Sequence, residues 1–251
     1  EEHGLGAKRM IADGLFDRFP VEAIFGLHNH PGAPAGTFLM RSGPLMAAAD
    51  TATITITGRG GHASRPHLTV DPIVVAANMV MTLQTVVSRN VNPTETAVVT
   101  VGTIHGGTAS NVIPETAEIA VSIRSFSTQV RDTLEQRIRD IAASIAGAHG
   151  ASVAVDYERG YPVVINSEEE TAFATAVVKE LVGEDKVGVC PMIPGSEDFA
   201  YFLEHKPGCF LRLGNGENSA ILHSSKYDFN DDSLTTGAAM WARLAERFLS
   251  V

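Results

Sequence analysis

Residues 51–57, TATITIT, alternate threonine with apolar residues at every position, and this pattern constrains the fold of the chain more than any other. Ala52, Ile54 and Ile56 fall on one face of an extended chain and the threonines on the other, because side chains alternate along a strand. The segment therefore predicts a half-buried β-strand.

Further strands and helices follow this strand in a regular order. Asp71 and Pro72 are typical of an N-cap and a first helical residue. Residues 128–147 place apolar side chains at helical spacing, with charged residues between them. The predicted elements are strands at residues 51–57, 96–104, 116–124 and 153–157, and helices at residues 73–87 and 128–147. This β-α-β-β-α-β order predicts a compact ferredoxin-like unit over residues 48–162.

The flanking residues, 1–47 and 163–251, alternate helices with apolar strands and predict an α/β domain that this unit interrupts. We predict helices at residues 4–16, 167–182, 196–204 and 232–249, and strands at residues 21–28 and 208–213. Ser167, followed by three glutamates, predicts a capping box at the start of its helix. The flanks supply only about three or four strands, so we expect an N-terminal part of this domain to be missing.

The composition excludes several classes of function. The 251 residues carry a net charge of −10 and no Lys/Arg cluster, which argues against nucleic-acid binding. The apolar stretches are far shorter than the ~20 residues of a membrane span. Cys190 and Cys209 form no CxxC motif, so we expect reduced thiols and a cytoplasmic location. No nucleophile elbow, P-loop or dinucleotide-binding fingerprint is present.

Acidic and imidazole groups mark a candidate metal site. Glu1 and Glu2 are adjacent, and His28 and His30 follow an apolar segment at a spacing that places them on one side of an extended chain. His223 also follows a short apolar segment. In a hydrolytic metal site, one carboxylate binds the ion and another accepts a proton from the activated water. Each of these groups is also common in a solvated loop.

Two glycine-rich loops and one arginine add candidates for substrate contacts. His62 lies in GRGGHASRPH, and Asn111 lies in GGTASNVIP, where its amide is suited to donate to an oxyanion. Arg124 lies on the outward face of its predicted strand and suits bidentate capture of a carboxylate. The alternatives are a glycine-rich turn for His62 and a solvated surface position for Arg124.

Six stretches together resemble the dinuclear metallo-amidohydrolases of the aminoacylase/carboxypeptidase family. They are EEHGLGAKRMI, FGLHNHPGAPAG, GRGGHASRPH, GTASNVIPETAEIAVSIRSF, PGSEDFAYF and ILHSSKYDFND. Each is weak alone, but six in this order are specific, and they cover essentially the whole chain. The branch that includes hippurate hydrolase, N-acyl-amino-acid amidohydrolase and indole-acetyl-amino-acid hydrolase is the most similar. The resemblance implies a partial metallopeptidase-type α/β catalytic domain with an inserted ferredoxin-like lid and dimerisation domain.

The resemblance also implies a metal centre. By this resemblance Glu1 is the general base, and Glu2, His28 and His223 are metal ligands. The metal is divalent, with Mn, Zn, Co and Ni almost equally suited, and the full-length protein is expected to hold two ions per active site. The substrate is expected to be an N-acyl amino acid such as hippurate.

The inserted unit carries the remaining implied roles. His62 and Asn111 stabilise the tetrahedral oxyanion, and Arg124 holds the free carboxylate of the substrate. The insert is expected to close over the catalytic layer and to form a homodimer, in which its histidine reaches the partner subunit's site. Glu197, in GSEDF, matches a recurrent acid without an assigned role.

The chain departs from the family pattern at one point. The branch carries a Cys-Gly-His-Asp-Gly-His-like segment upstream of the paired glutamates, and nothing in this chain matches it. We therefore expect a truncated chain that lacks some ligands, and a metal-free, inactive fragment is one of the outcomes left open. The alternatives are a metallo-exopeptidase or dipeptidase of the same family, a non-catalytic dimerisation or binding module, and a thiol hydrolase that uses Cys190 or Cys209.

Overall fold

The computed structural model describes residues 6–249, which form two compact units. The middle unit comprises residues 47–163 and 194–196; the flanking unit comprises the described residues on either side. The helices are α1 (Gly6–Ala12), α2 (Leu15–Arg18), α3 (Pro72–Asn90), α4 (Thr128–Ala148), α5 (Glu168–Val182), α6 (Phe199–Leu203) and α7 (Asp232–Leu249). Among these residues, none of the helices combines the length and apolar composition that a membrane span requires.

Twelve strands are assigned within the described residues. They are β1 (Ile24–Pro31), β2 (Phe38–Met40), β3 (Gly43–Met46), β4 (Ala48–Thr57), β5 (Gly61–His62), β6 (Ala97–Gly106), β7 (Val112–Ile113), β8 (Thr116–Ser125), β9 (Ser152–Arg159), β10 (Val164–Asn166), β11 (Val187–Val189) and β12 (Gly208–Gly216).

The middle unit contains an antiparallel sheet in the order β6-β8-β4-β9, with α3 and α4 packed on one face. Ala52, Ile54 and Ile56 lie in the core between the sheet and these helices, as their alternation predicted. The Asp71 carboxylate accepts a hydrogen bond from the Ile73 amide at 2.9 Å, which confirms the predicted N-cap of α3. The other face of the sheet carries the alternate residues of each strand.

A buried ionic network ties α4 to the neighbouring strands β4 and β9 of this sheet. Asp50, on β4, is 1% exposed and accepts hydrogen bonds from the Arg131 guanidinium, the Tyr157 hydroxyl and the Gly160 amide. Burial and the neighbouring Asp50 charge raise the pKa of Tyr157, which stays a neutral donor. The carboxylate therefore holds β4, β9 and α4 together through charge-assisted bonds.

The flanking unit contains a four-stranded sheet in the order β1-β12-β2-β11, with β1 parallel to β12. Its central strand, β12, is buried along almost its whole length, and α5 and α7 pack on the sheet through apolar side chains such as Val178, Leu211 and Met240. In the register of β1 against β12, His28 lies opposite Arg212. The parallel pairing brings the carboxyl ends of both strands to one edge of the sheet.

Several local predictions for this unit were wrong. The predicted helix at 4–16 is interrupted at Gly14, which has a left-handed φ of 85° and separates α1 from α2. Ser167 does not form a capping box, because its hydroxyl accepts the amide of Gly208 at 3.0 Å instead. The predicted strand at 21–28 begins later, at Ile24, and continues to Pro31.

Candidate functional site

The structure describes the predicted histidine ligands but not the two predicted glutamates. Glu1 and Glu2 lie outside the described residues. His28 and His30 both lie in β1, on one side of the strand, as their spacing predicted. Burial first, and the positive charge of Arg212 second, lowers the pKa of both imidazoles. The neutral form that binds metals is therefore favoured at each position.

Arg212 supplies the positive charge behind these histidines. It is 3% exposed and lies opposite His28 on β12. Its guanidinium donates to the Asn29 carbonyl at 3.5 Å and to the Met46 sulfur at 3.2 Å, and it lies 5.5 Å from the centre of the Phe210 ring. Sequence analysis did not single out this residue, because it lies within an otherwise apolar buried strand.

The loop that carries His223 is fastened to β1. The Asn29 side-chain amide, next to His28, hydrogen-bonds the Tyr227 hydroxyl four residues beyond His223. On the other side, buried Asn215 donates to the Asp228 carbonyl at 3.0 Å. His223 itself is exposed, in a turn with a left-handed φ of 62° that non-glycine residues seldom adopt. The first bond ties His223's loop to β1, the strand that holds His28, and the second ties the loop to β12.

The donor chemistry of His28 fits a metal ligand. Its Nδ1 donates to the Asn29 carbonyl at 2.7 Å, which leaves Nε2 for an ion and fixes the ring, as partners of metal-binding imidazoles do. Within residues 6–249, no group of three or more histidine, cysteine, aspartate or glutamate side chains is arranged to hold an ion. The convergence predicted for Glu2, His28 and His223 stays a prediction, since Glu2 lies outside this range.

The two predicted oxyanion residues lie side by side in the middle unit. β5 pairs with β7 as a two-stranded ribbon, with His62 opposite Val112. The Ala63 amide donates to the Asn111 carbonyl at 3.0 Å, so the residue after His62 is bonded directly to the backbone of Asn111. The ring Nδ1 of His62 contacts the Ser64 amide at 3.1 Å and the Ser64 hydroxyl at 2.8 Å. The ring is therefore held in place, and its Nε2 remains for a substrate.

Arg124 lies near the end of β8, on the sheet face opposite the helices. Its Nη1 donates to the Ser122 hydroxyl at 3.0 Å and to the Ile123 carbonyl at 2.8 Å. Both hydrogens of Nη1 are thereby used within the strand. The edge formed by Nε and Nη2 is the part of the fork that remains for a planar anion such as a carboxylate.

The two cysteines lack the properties of catalytic thiols. Both are fully buried and neither forms a disulfide. Burial raises the pKa of Cys209 to about 12 and also raises the pKa of Cys190. Each is therefore a neutral thiol near pH 7, whereas a nucleophilic cysteine must be ionised.

Buried Glu197 contributes to local structure. One carboxylate oxygen accepts the Phe199 amide at 3.3 Å, at the start of α6. Its neighbour Asp198 accepts the Ala7 amide at 2.8 Å and so fastens α1, the first described helix, to the GSEDF segment. This long-range bond gives part of that motif a structural role that its sequence did not reveal.

Comparison with known proteins finds relatives that are named as hydrolases or deacetylases. Hippurate hydrolase of Campylobacter jejuni is 40% identical over 99% of this chain and 65% of that protein. N-acetyl-L-cysteine deacetylase of Bacillus subtilis is 41% identical over 99% of the chain and 59% of its own length. An IAA-amino acid hydrolase of Arabidopsis thaliana is 36% identical over 99% of the chain and 57% of its own length. The chain thus spans about three fifths of the length of these relatives.

A solved structure agrees with these relatives. A dinuclear metal-binding peptidase of the M20 family from Bacillus subtilis superposes with a TM-score of 0.84 at 30% identity, over 99% of this chain and 63% of that one. The family model described as "Peptidase family M20/M25/M40" matches residues 1–247. The resemblance drawn from the six sequence stretches is thereby confirmed, and the chain belongs to peptidase family M20/M25/M40.

Proposed function

We propose that this protein is a metal-dependent hydrolase that cleaves the amide bond of N-acyl amino acids. The observation that carries the proposal is the proximity of His62, on β5, to Asn111, which directly precedes β7, while the His62 Nδ1 is engaged by Ser64 and Nε2 stays available. Two adjacent donors suit the negative charge that develops on a carbonyl oxygen during hydrolysis. Membership of a peptidase family that includes amide hydrolases supports the same reaction class.

We assign the metal to Glu2, His28 and His223. Divalent ions such as Mn, Zn, Co or Ni, two per site in the whole protein, supply Lewis acidity and lower the pKa of water when bound. His28 would bind through Nε2, since its Nδ1 is committed to the Asn29 carbonyl. Support for His223 comes from the bond between Asn29 and Tyr227, which fastens its loop beside His28.

In this proposal, residues of the chain transfer the proton of the attacking water and stabilise the charge of the oxyanion. Glu1 accepts a proton from the attacking water and returns it to the leaving amine. The His62 ring and the Asn111 side-chain amide donate to the tetrahedral oxyanion. Removing one such donor in a comparable site costs roughly 10²–10³-fold in turnover.

Arg124 is proposed to hold the free carboxylate of the substrate. Its Nε and Nη2 edge matches a carboxylate bidentately, while Ser122 and Ile123 hold Nη1. The outward face of β8 carries no competing acid beside Arg124, because its neighbours across the sheet are Ala49 and Val98.

The spacing of these groups supports a site shared by two copies of the chain. Val112, on the ribbon, lines one cavity together with Glu118 of β8. Glu118 and Arg124 lie six residues apart on this extended strand, about 20 Å at ~3.3 Å per residue. In an N-acyl amino acid only the amide nitrogen and one carbon separate the carbonyl from the carboxylate. We therefore infer that Arg124 of one subunit acts with His62 and Asn111 of another.

The edges of the sheet favour β6 as the contact between the copies. Of the two edge strands, β9 carries three charged side chains at residues 156, 158 and 159, which discourage pairing. The other edge strand, β6, carries no acidic residue, lysine or arginine. Ile104 of β6 is 49% exposed and Met81 of the adjacent α3 is 71% exposed, and both line an apolar groove of about 420 Å³. We propose a homodimer in which this unit pairs through β6 and serves as the lid and dimerisation domain.

The proposal is tested by turnover of hippurate-type substrates in the whole protein loaded with Mn or Zn. His62→Ala and Asn111→Ala should lower kcat by roughly 10²-fold or more with little change in KM. Arg124→Ala should mainly raise KM, and only for substrates with a free carboxylate. The matched control is His67→Ala, an exposed histidine of the same loop. Wild-type kinetics in His62→Ala, Asn111→Ala and Arg124→Ala would contradict the assigned roles.

A metallo-exopeptidase is the second candidate, favoured by the similarity to a dinuclear metal-binding peptidase. The residues and the reaction are the same, and only the acyl side of the substrate differs. Comparing kcat/KM for hippurate-type substrates with that for dipeptides separates the two. A preference for dipeptides would replace the N-acyl amino acid as the substrate while leaving the roles of His62 and Arg124 intact.

A further inference from the structure

Ser64 makes two contacts to a single nitrogen of the His62 ring. The backbone amide of Ser64 lies 3.1 Å from Nδ1, and its hydroxyl oxygen lies 2.8 Å from the same atom. The chain turns tightly here, since the Arg65 amide donates to the His62 carbonyl at 2.8 Å. The Ala63 amide is bonded to the carbonyl of Asn111, so the turn is anchored to the residue that precedes β7.

These contacts decide where the proton of the ring lies. A backbone N–H can only donate, so the His62 Nδ1 that receives it must present a lone pair. A neutral imidazole carries one hydrogen, which is therefore on Nε2. The Ser64 hydroxyl donates to the same lone pair. A protonated Nδ1 would instead direct its hydrogen at the Ser64 amide hydrogen.

We propose that Ser64 is a positioning residue that fixes His62 as a neutral donor with its hydrogen on Nε2. His62 then meets the oxyanion through a hydrogen bond and transfers no proton, because an acid would need hydrogens on both ring nitrogens. Its partner in the site, the Asn111 amide, is likewise a donor that cannot ionise. The catalytic consequence rests on the proposed function, whereas the tautomer itself follows from the Ser64 contacts alone.

The test is the protonation state of the His62 ring in the full chain labelled with ¹⁵N-histidine. Long-range ¹H–¹⁵N correlations near neutral pH distinguish the two tautomers, and His62→Gln identifies the signal by its loss. Hydrogen on Nε2 is expected in the wild type. Ser64→Ala keeps the amide and loses the hydroxyl, so the population with hydrogen on Nδ1 should rise about fivefold, the effect of one hydrogen bond. Ser64→Thr should restore the wild-type ratio.

The controls separate this inference from the proposed function. The ring of His67, in the same loop, should keep one tautomer ratio in the wild type and in Ser64→Ala. A wild-type His62 ring with hydrogen on Nδ1, or an unchanged ratio in Ser64→Ala, would overturn the role of Ser64 even if His62→Ala abolished turnover. An Nε2–H ring together with full activity of His62→Ala would support the Ser64 lock and reject the catalytic role of His62.

Discussion

The stability of the middle unit should depend strongly on Asp50. The Asp50→Ala substitution removes a carboxylate that is 1% exposed and pairs with the Arg131 side chain, which is 11% exposed. The substitution leaves the Arg131 charge, the Tyr157 hydroxyl and the Gly160 amide without their shared acceptor. Breaking a buried ion pair by removing one partner costs about 3–5 kcal/mol. We expect a loss in this range in the free energy of unfolding of this unit.

The pair of variants Asp50→Ala and Asp140→Ala tests this reasoning. Asp140 pairs with Arg137 on the surface of α4, with both side chains more than 40% exposed. Such pairs contribute about 0–1 kcal/mol. Urea unfolding followed by far-UV circular dichroism gives the free energies, and amide hydrogen exchange of β4 and β9 assigns the loss to this sheet. Losses for the two variants within ~1 kcal/mol of each other would refute the argument.

Three further predictions concern the proposed site. Mixing His62→Ala, which is impaired in kcat, with Arg124→Ala, which is impaired in KM, under subunit exchange should restore about one quarter of wild-type kcat/KM, because one site of each heterodimer regains both residues. No recovery would place both residues in one subunit's site. Ser122→Ala should raise KM about fivefold for substrates with a free carboxylate, because it removes one hydrogen bond to Arg124. KM for the corresponding carboxamides should not change, and Ser122→Thr should behave as wild type. Tyr227→Phe should weaken metal binding about tenfold in competition with a chelator, and unchanged affinity would count against its role in holding the His223 loop.

Sequence analysis identified the elements whose apolar pattern repeats over many residues or whose ends carry a local capping signal. The alternation at Ala52, Ile54 and Ile56 and the N-cap at Asp71 depend on neighbours in sequence, and both predictions were confirmed. β2 and β11 were missed, because strands of three residues are too short to display a period. Ser167 was assigned wrongly, because its hydroxyl contacts Gly208, far away in the chain.

The same distinction holds for the candidate site. The ribbon that joins His62 to Asn111 follows from two glycine-rich loops that sequence analysis had singled out separately. The contact of Ser64 with His62 is local and was accessible from the motif, whereas the bond between Asn29 and Tyr227 spans most of the chain. Sequence patterns report neighbours along the chain, and such a bond depends on how the strands and loops are brought together.

The position of Arg124 on an uninterrupted strand has a consequence for how this family can vary. Because side chains alternate along β8, inserting or deleting a single residue between Glu118 and Arg124 would turn the guanidinium from the open face toward the apolar layer beneath α3 and α4. Length changes in this segment should therefore be tolerated only in pairs of residues. Even those would move the guanidinium by about 7 Å, roughly two residues of strand rise, and so would change the length of substrate that fits if Arg124 binds the carboxylate as proposed.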